Sequence, residues 1–126
     1  MSLLIVLPLP AKALQPNCTI ATYGGRFKKA SATKKYRRIT CEAVQQEQVE
    51  DMPWGRVSVT AEFFHGCKRR RDQDNAMGSL KAAYDGIVDS GLVADDDYEH
   101  MERGVPTFSH DKLYPRVELT ITKEDE

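Results

Sequence analysis

The sequence predicts a single small domain that combines about four strands with two main helices, on three observations. The chain has 126 residues, and a domain takes about 100 to 150, so there is room for one core. Two stretches alternate apolar and polar residues in the manner of half-buried strands. Two others repeat apolar residues near the period of an amphipathic helix.

The first element is residues 3–7, a wholly apolar run ended by Pro8 and Pro10, which cannot donate to a ladder; it reads as a buried first strand. Residues 11–25 read as irregular, with Pro16-Asn17 and Gly24-Gly25 as turn signals. From Arg26 to about Gln48, Phe27, Ala30, Tyr36, Ile39, Ala43 and Val44 mark one face of a helix. Residues 56–64 alternate, with Val57, Val59, Ala61 and Phe63 on one side and Ser58, Thr60 and Glu62 on the other. A second helix is expected from Asn75 for about 14 residues, carrying Ala76, Leu80, Ala83, Tyr84, Ile87 and Val88. Asp74 or Asn75 suits its N-cap, and Gly91 stands where its stop belongs. Residues 95–98 form an acidic loop, 101–109 a weak strand, and 116–122 a final strand with Val117, Leu119 and Ile121 inward.

No apolar run approaches the roughly 20 residues of a membrane span. No charged start with a small-residue cleavage site is present, so a soluble, unprocessed, cytoplasmic chain is expected. Cys18, Cys41 and Cys67 make an odd count that fits a reducing compartment and free thiols.

The net charge of -1 argues against a strongly basic nucleic-acid binder, but the distribution argues the other way. Eleven of the 18 cations lie in two short stretches. The first holds Arg26, Lys28, Lys29, Lys34, Lys35, Arg37 and Arg38 with no acid among them; the second is Lys68, Arg69, Arg70 and Arg71. Such separation suits contact with a polyanion, although a charge run is also what a solvated helix face looks like.

The strongest chemical feature is Asp72-Gln73-Asp74-Asn75 directly after the second basic run, with Asp95-Asp96-Asp97 returning after the helix. Carboxylate oxygens are the ligands that magnesium and manganese prefer, and two or three suffice when water and phosphate fill the other positions. If the two acidic segments meet, an anionic cluster sits against four cations, which suits a metal shared with a phosphodiester. The plainer reading makes Asp72 and Asp74 an N-cap and a turn carboxylate. An EF-hand fails on spacing, because a loop begun at Asp72 puts Met77 where the turn glycine belongs. A D-x-D glycosyltransferase is disfavoured by the absence of a nucleotide-binding glycine motif. His65-Gly66-Cys67 reads as a strand end rather than a zinc site, His100 and His110 have no assignable partner, and Lys81 with Asp85 reads as a helix surface pair.

These residues carry a family likeness. Arg70, Asp72, Asp74 and Asn75, then residues 80–85, Gly91 and Asp95-Asp96, resemble the RusA family of Holliday-junction resolvases, small endonucleases common in bacteriophages and prophages. Residues 7–10 and 116–122 resemble the family's opening strand with its proline turn and its closing strand. The likeness thus spans most of the chain, but only residues 70–96 are specific. It implies an α+β fold on a small mixed sheet, a homodimer, dependence on magnesium or manganese, and cleavage of branched DNA. The matching acids are Asp72, Asp74 and Asp96 as metal ligands, with Asp95 a further candidate ligand because a slip of one residue among Asp95, Asp96 and Asp97 changes the third, and the matching lysine is Lys81. One spacing departs from the family pattern, in which the lysine follows the Asp-Asn pair by about one helical turn. Here Lys81 lies nearly two turns beyond Asn75, so either the helix starts later or a cation among residues 68–71 takes its place. The expectation is a metal-dependent DNA endonuclease with Asp72, Asp74, Asp96 and Lys81 as its chemistry. Its rival is a DNA-binding protein of the same fold without catalysis.

Overall fold

The computed structural model describes residues 1–15 and 23–124. The turn signal at Pro16-Asn17, Cys18 and the last two acids of the tail lie outside them. The elements are β1 (Ser2–Leu7), α1 (Tyr23–Gln45), β2 (Val57–His65), α2 (Gln73–Ser79), α3 (Lys81–Asp89), β3 (Met101–Arg103), β4 (Thr107–His110) and β5 (Arg116–Lys123), with a 3-10 turn at Lys12–Leu14. The fold is α+β, as expected: a five-stranded mixed sheet in the order β1-β5-β2-β3, with β4 also on β2.

Strand β5 is antiparallel to both of its neighbours, β1 and β2. Strands β3 and β4 both run parallel to β2, on successive halves of it. A parallel pair needs a long crossover, and α2 with α3 supply it. The weak strand expected over residues 101–109 is divided, which makes five strands where about four were expected. Between the halves lie Gly104, where a Cβ would come within 3.0 Å of the Thr60 methyl, and Pro106, which has no N–H to give the ladder.

One face of the sheet is the core. Ile5, Leu7, Val57, Val59, Ala61, Phe63, Val117, Leu119 and Ile121 are buried there, against Tyr36 and Val44 of α1 and Ala82, Ala83 and Ile87 of α3. The two helices cross closely at Gly86, where a Cβ would lie 2.5 Å from the Arg37 carbonyl oxygen. Tyr36 spends its hydroxyl on the Pro8 carbonyl at 2.7 Å, tying α1 to the end of β1.

Several local expectations are corrected. The apolar run at residues 3–7 is not wholly buried: β1 is an edge strand, and Leu4 and Val6 face outward at 53% and 43% exposure. Helix α1 starts three residues earlier than periodicity suggested, taking in Gly24 and Gly25, and ends at Gln45. The second helix is two. It begins at Gln73, capped by Asp72 rather than by Asp74 or Asn75, and it breaks at Leu80, whose backbone (φ -92, ψ 3) closes α2 and opens α3. Gly91 meets its expectation with φ +88 just beyond α3, a conformation glycine adopts without strain. Cys41 and Cys67 are free thiols. Among the described residues no helix is long and apolar enough to cross a membrane.

Candidate metal and phosphate site

The site region begins where β2 ends. His65 is the last residue of that strand, and the chain then passes through the basic run to Asp72. Lys68, Arg69 and Arg70 are exposed, Arg71 is half-buried, and none of the four forms an ion pair among the described residues. Arg71 turns away from its acidic neighbour and donates instead to the Cys67 carbonyl at 3.3 Å.

Asp72 has a local task. Its Oδ1 accepts from the backbone N–H of Asp74 at 2.9 Å and of Asn75 at 3.4 Å, so the aspartate caps α2. An N-cap of this kind is worth about 1 kcal/mol. Asp74 stands in the first turn of α2, exposed. Neither carboxylate forms an ion pair among the described residues.

The second acidic segment is occupied by cations. Lys81, the first residue of α3, places Nζ 2.5 Å from Asp96 Oδ2 and 3.0 Å from Asp85 Oδ1. Arg103 on β3 reaches the same Asp96 carboxylate at 3.2 Å and its carbonyl at 2.7 Å, with its guanidinium over the Tyr84 ring at 4.6 Å. The Lys81 ammonium holds the Asp96 carboxyl below its usual range, and Asp96 first, then Asp85, pushes the lysine up. Lys81 therefore stays protonated at neutral pH. Asp95 Oδ1 caps the N–H of Asp96 at 2.7 Å, and Asp97 Oδ1 lies 2.6 Å from His100 Nδ1.

A line of alternating charge continues to α1. Arg37 is hydrogen-bonded through two nitrogens to Asp89, the Nη2 bond measuring 2.8 Å, and comes within 4.0 Å of Asp85. Asp89 of α3, Arg37 of α1, Asp85 and Lys81 of α3, Asp96 of the acidic loop and Arg103 of β3 thus succeed one another. The first basic run accordingly divides. Arg37 is committed inward and Arg38 pairs with Glu42 at 3.7 Å, whereas Lys28, Lys29, Lys34 and Lys35 form no ion pair among the described residues.

The structure thus brings Lys81 to Asp96 and Asp72 to the backbone N–H of Asp74, and no hydrogen bond or ion pair joins the two acidic segments among the described residues. Among the described residues no three His, Cys, Asp or Glu side chains form a metal-binding group. Asp72 and Asp74 suit a different mode, in which a hard divalent cation takes one or two carboxylates from the protein and the rest of its oxygens from water and phosphate. Sequence reasoning missed Arg103, whose partner Asp96 lies seven residues back across a loop with no helical spacing to link them, and the inward turn of Arg37, whose partner Asp89 lies 52 residues away. It also missed His100 with Asp97, which the i, i+3 spacing of a histidine and an acid could have suggested. No protein-family model matches this chain, and no curated protein matches it.

Proposed function

We propose that the chain is a metal-dependent endodeoxyribonuclease that cuts branched DNA, with the four-way Holliday junction as its substrate class. The observation that carries the reading is the contact of Lys81 Nζ with Asp96 Oδ2 at 2.5 Å. These are the lysine and the third acid of the RusA-like pattern, brought together across 15 residues despite the altered spacing. The break at Leu80 gives a physical reason: Lys81 opens a new helix rather than riding two turns up the old one.

Magnesium or manganese would be held by Asp72 and Asp74 together with water and a DNA phosphate, where it would lower the pKa of a water and offset charge on the scissile group. Lys81 and Arg103 both hold Asp96 Oδ2, so Asp96 would contribute through Oδ1, or through Oδ2 by releasing them. The chain's own groups supply the rest. Arg69 and Arg70 sit beside Asp72 and can hold the strand by its phosphates. Lys81, protonated and oriented by Asp85 and Asp96, can place a fixed positive charge near the leaving oxygen. The lysines of α1 would follow the duplex arms. A homodimer fits the task, because two matched cuts call for two sites related by a two-fold axis.

The test is cleavage of a labelled synthetic four-way junction beside a linear duplex of the same sequence, with magnesium, manganese or EDTA, by wild type and Asp74→Asn. Paired cuts in the junction alone, lost in EDTA and in the variant, are expected. Full nicking by a folded Asp74→Asn protein would remove the metal assignment. A second reading, a DNA-binding protein without catalysis, is favoured by the employment of Asp72 as a cap and of Asp96 as a partner for two cations. It predicts junction binding indifferent to magnesium and no cuts.

A further inference from the structure

A hollow of about 510 Å³ lies between the Lys12–Leu14 turn and α2, over the end of β2. Its volume falls in the range of small-molecule sites, about 300 to 1,000 Å³. The floor follows from strand register. Phe63 and His65 alternate onto the same face of β2, and Phe108 of β4 stands opposite Phe63 in the parallel ladder. The three rings cluster, with centroids 5.8 Å apart for Phe63–His65 and Phe63–Phe108 and 6.1 Å for His65–Phe108. Phe63 is buried, but His65 and Phe108 are only partly covered and offer ring surface to the hollow. Burial, with Arg71 adding to it, holds the His65 imidazole below its usual value, so this floor is uncharged at neutral pH.

The other boundaries mix apolar Leu9, Pro10 and Ala76 with polar groups. Arg69, Arg70 and Lys12 stand at the rim, and none of them forms an ion pair among the described residues. Asn75 of α2 lines the wall, and its Oδ1 is buried with no hydrogen-bond partner among the described residues. An orphaned acceptor of this kind costs about 1 to 3 kcal/mol, which a donor on a ligand recovers once the amide turns to meet it. Flat uncharged rings below, guanidinium groups above and an amide at the side match the three parts of a nucleotide: the face of its base, its phosphate and the donor edge of the base.

We propose that this hollow receives one unstacked deoxynucleotide of a DNA strand, with the base on His65 and Phe108, its edge toward Asn75 and its phosphate on Arg69 and Arg70. The proposal rests on the DNA reading above and adds to it a pocket beside Asp72 for a base that has left the duplex. An unpaired base at a branch is already free of part of its stacking, so the pocket favours branched over continuous duplex.

The experiment measures binding of the full chain, in EDTA, to a junction with one unpaired deoxyadenosine at the branch and to the same junction with an abasic residue there. Removing the base is expected to weaken wild-type binding about 5- to 160-fold, the span of one base–aromatic stack. Phe108→Ala is expected to bind both junctions alike. Ala76→Phe, which fills the hollow from α2, gives the same readout if Phe108→Ala fails to fold. A base-removal penalty that is absent in wild type, or unchanged in both folded variants, overturns the pocket. If that same wild type still cuts the junction with magnesium, the endonuclease reading stands without it. Saturable binding of free dAMP at His65 and Phe108, seen by NMR, with no base dependence on the junction, overturns the strand-borne nucleotide. Absence of binding to any DNA removes both proposals.

Discussion

Asp72 and Asp74 stand on one side of the α2–α3 crossover and Asp95, Asp96 and Asp97 on the other, and in sequence the two segments look interchangeable. In the fold they have opposite surroundings. Asp72 and Asp74 follow four cations directly and pair with none of them among the described residues. Asp96, with no cation beside it in the chain, is held by Lys81 and Arg103. Adjacency along the chain thus says little about pairing, because Arg71 points back toward Cys67 while β3 and α3 carry their cations to the loop. The first segment caps a helix and forms no ion pair among the described residues; the second already has its cations built in.

The largest expected effect separates the cap made by Asp72 from its proposed metal role. Asparagine is as good an N-cap as aspartate, so Asp72→Asn should leave thermal stability unchanged while lowering cleavage by roughly two to three orders of magnitude. Asp72→Ala should lose the activity and about 1 kcal/mol of stability as well, measured by denaturant unfolding. Unchanged cleavage by Asp72→Asn would make the first segment a cap and nothing more, and the contrast with the second would lose its functional content.

Asp96→Asn probes the other side. It leaves Lys81 and Arg103 without their shared carboxylate and should cost about 1 to 2 kcal/mol. Because Lys81 lowers the Asp96 pKa in the fold, the stabilisation is present above the unfolded value of about 3.9 and is lost as pH falls through the lower folded value. The acid limb of the wild-type stability curve should therefore fall more steeply than that of Asp96→Asn. Coincident limbs in urea titrations between neutral and acid pH would show that this ion pair contributes nothing.

How much of this was legible varies with the range of the signal. The strands at Val57–His65 and Arg116–Lys123 were plain because period two is local, and so was Gly91, whose backbone requirement belongs to a single residue. Lys81 with Asp85 followed from helical spacing. Leu4 and Val6 misled because an apolar run carries no mark of whether both faces of its sheet are covered, and here only one is. Asp74 or Asn75 was expected to start the second helix, and Asp72 was a cap only in the plainer reading of the acidic pair; a shift of two or three residues is one that only the backbone geometry fixes. The aromatic floor under the hollow was invisible, since Phe108 meets Phe63 only through the register of a four-residue strand.

The first basic run offers a smaller test of the same lesson. Lys34 and Lys35 are unpaired among the described residues and Arg37 is committed to Asp89. Replacing both lysines by alanine should flatten the dependence of log K for duplex binding on log salt by about two units if each reaches a phosphate, and Arg37→Ala should change it by well under one. Equal slopes for the two variants would mean that the Arg37–Asp89 pair opens to DNA.

The smallest effect lies within the second segment, at His100. Its Nδ1 sits 2.6 Å from Asp97 Oδ1, the same oxygen that accepts the backbone N–H of Glu99 and of His100 at 3.1 Å each. That contact raises the histidine and lowers the aspartate. The histidine's share of stability is therefore complete below its unfolded pKa of about 6.5 and is lost as pH rises through the raised folded value. The aspartate's share is complete above about 3.9 and is lost as pH falls through its lowered value. Asp97→Asn keeps an oxygen for the two backbone donors but removes the charge. The His100 titration followed by NMR should then move down toward its ordinary value while the fold is retained. An unmoved titration would mean that Asp97 exerts no charge on its neighbour, and the built-in cations of this segment would reduce to those of Asp96 alone.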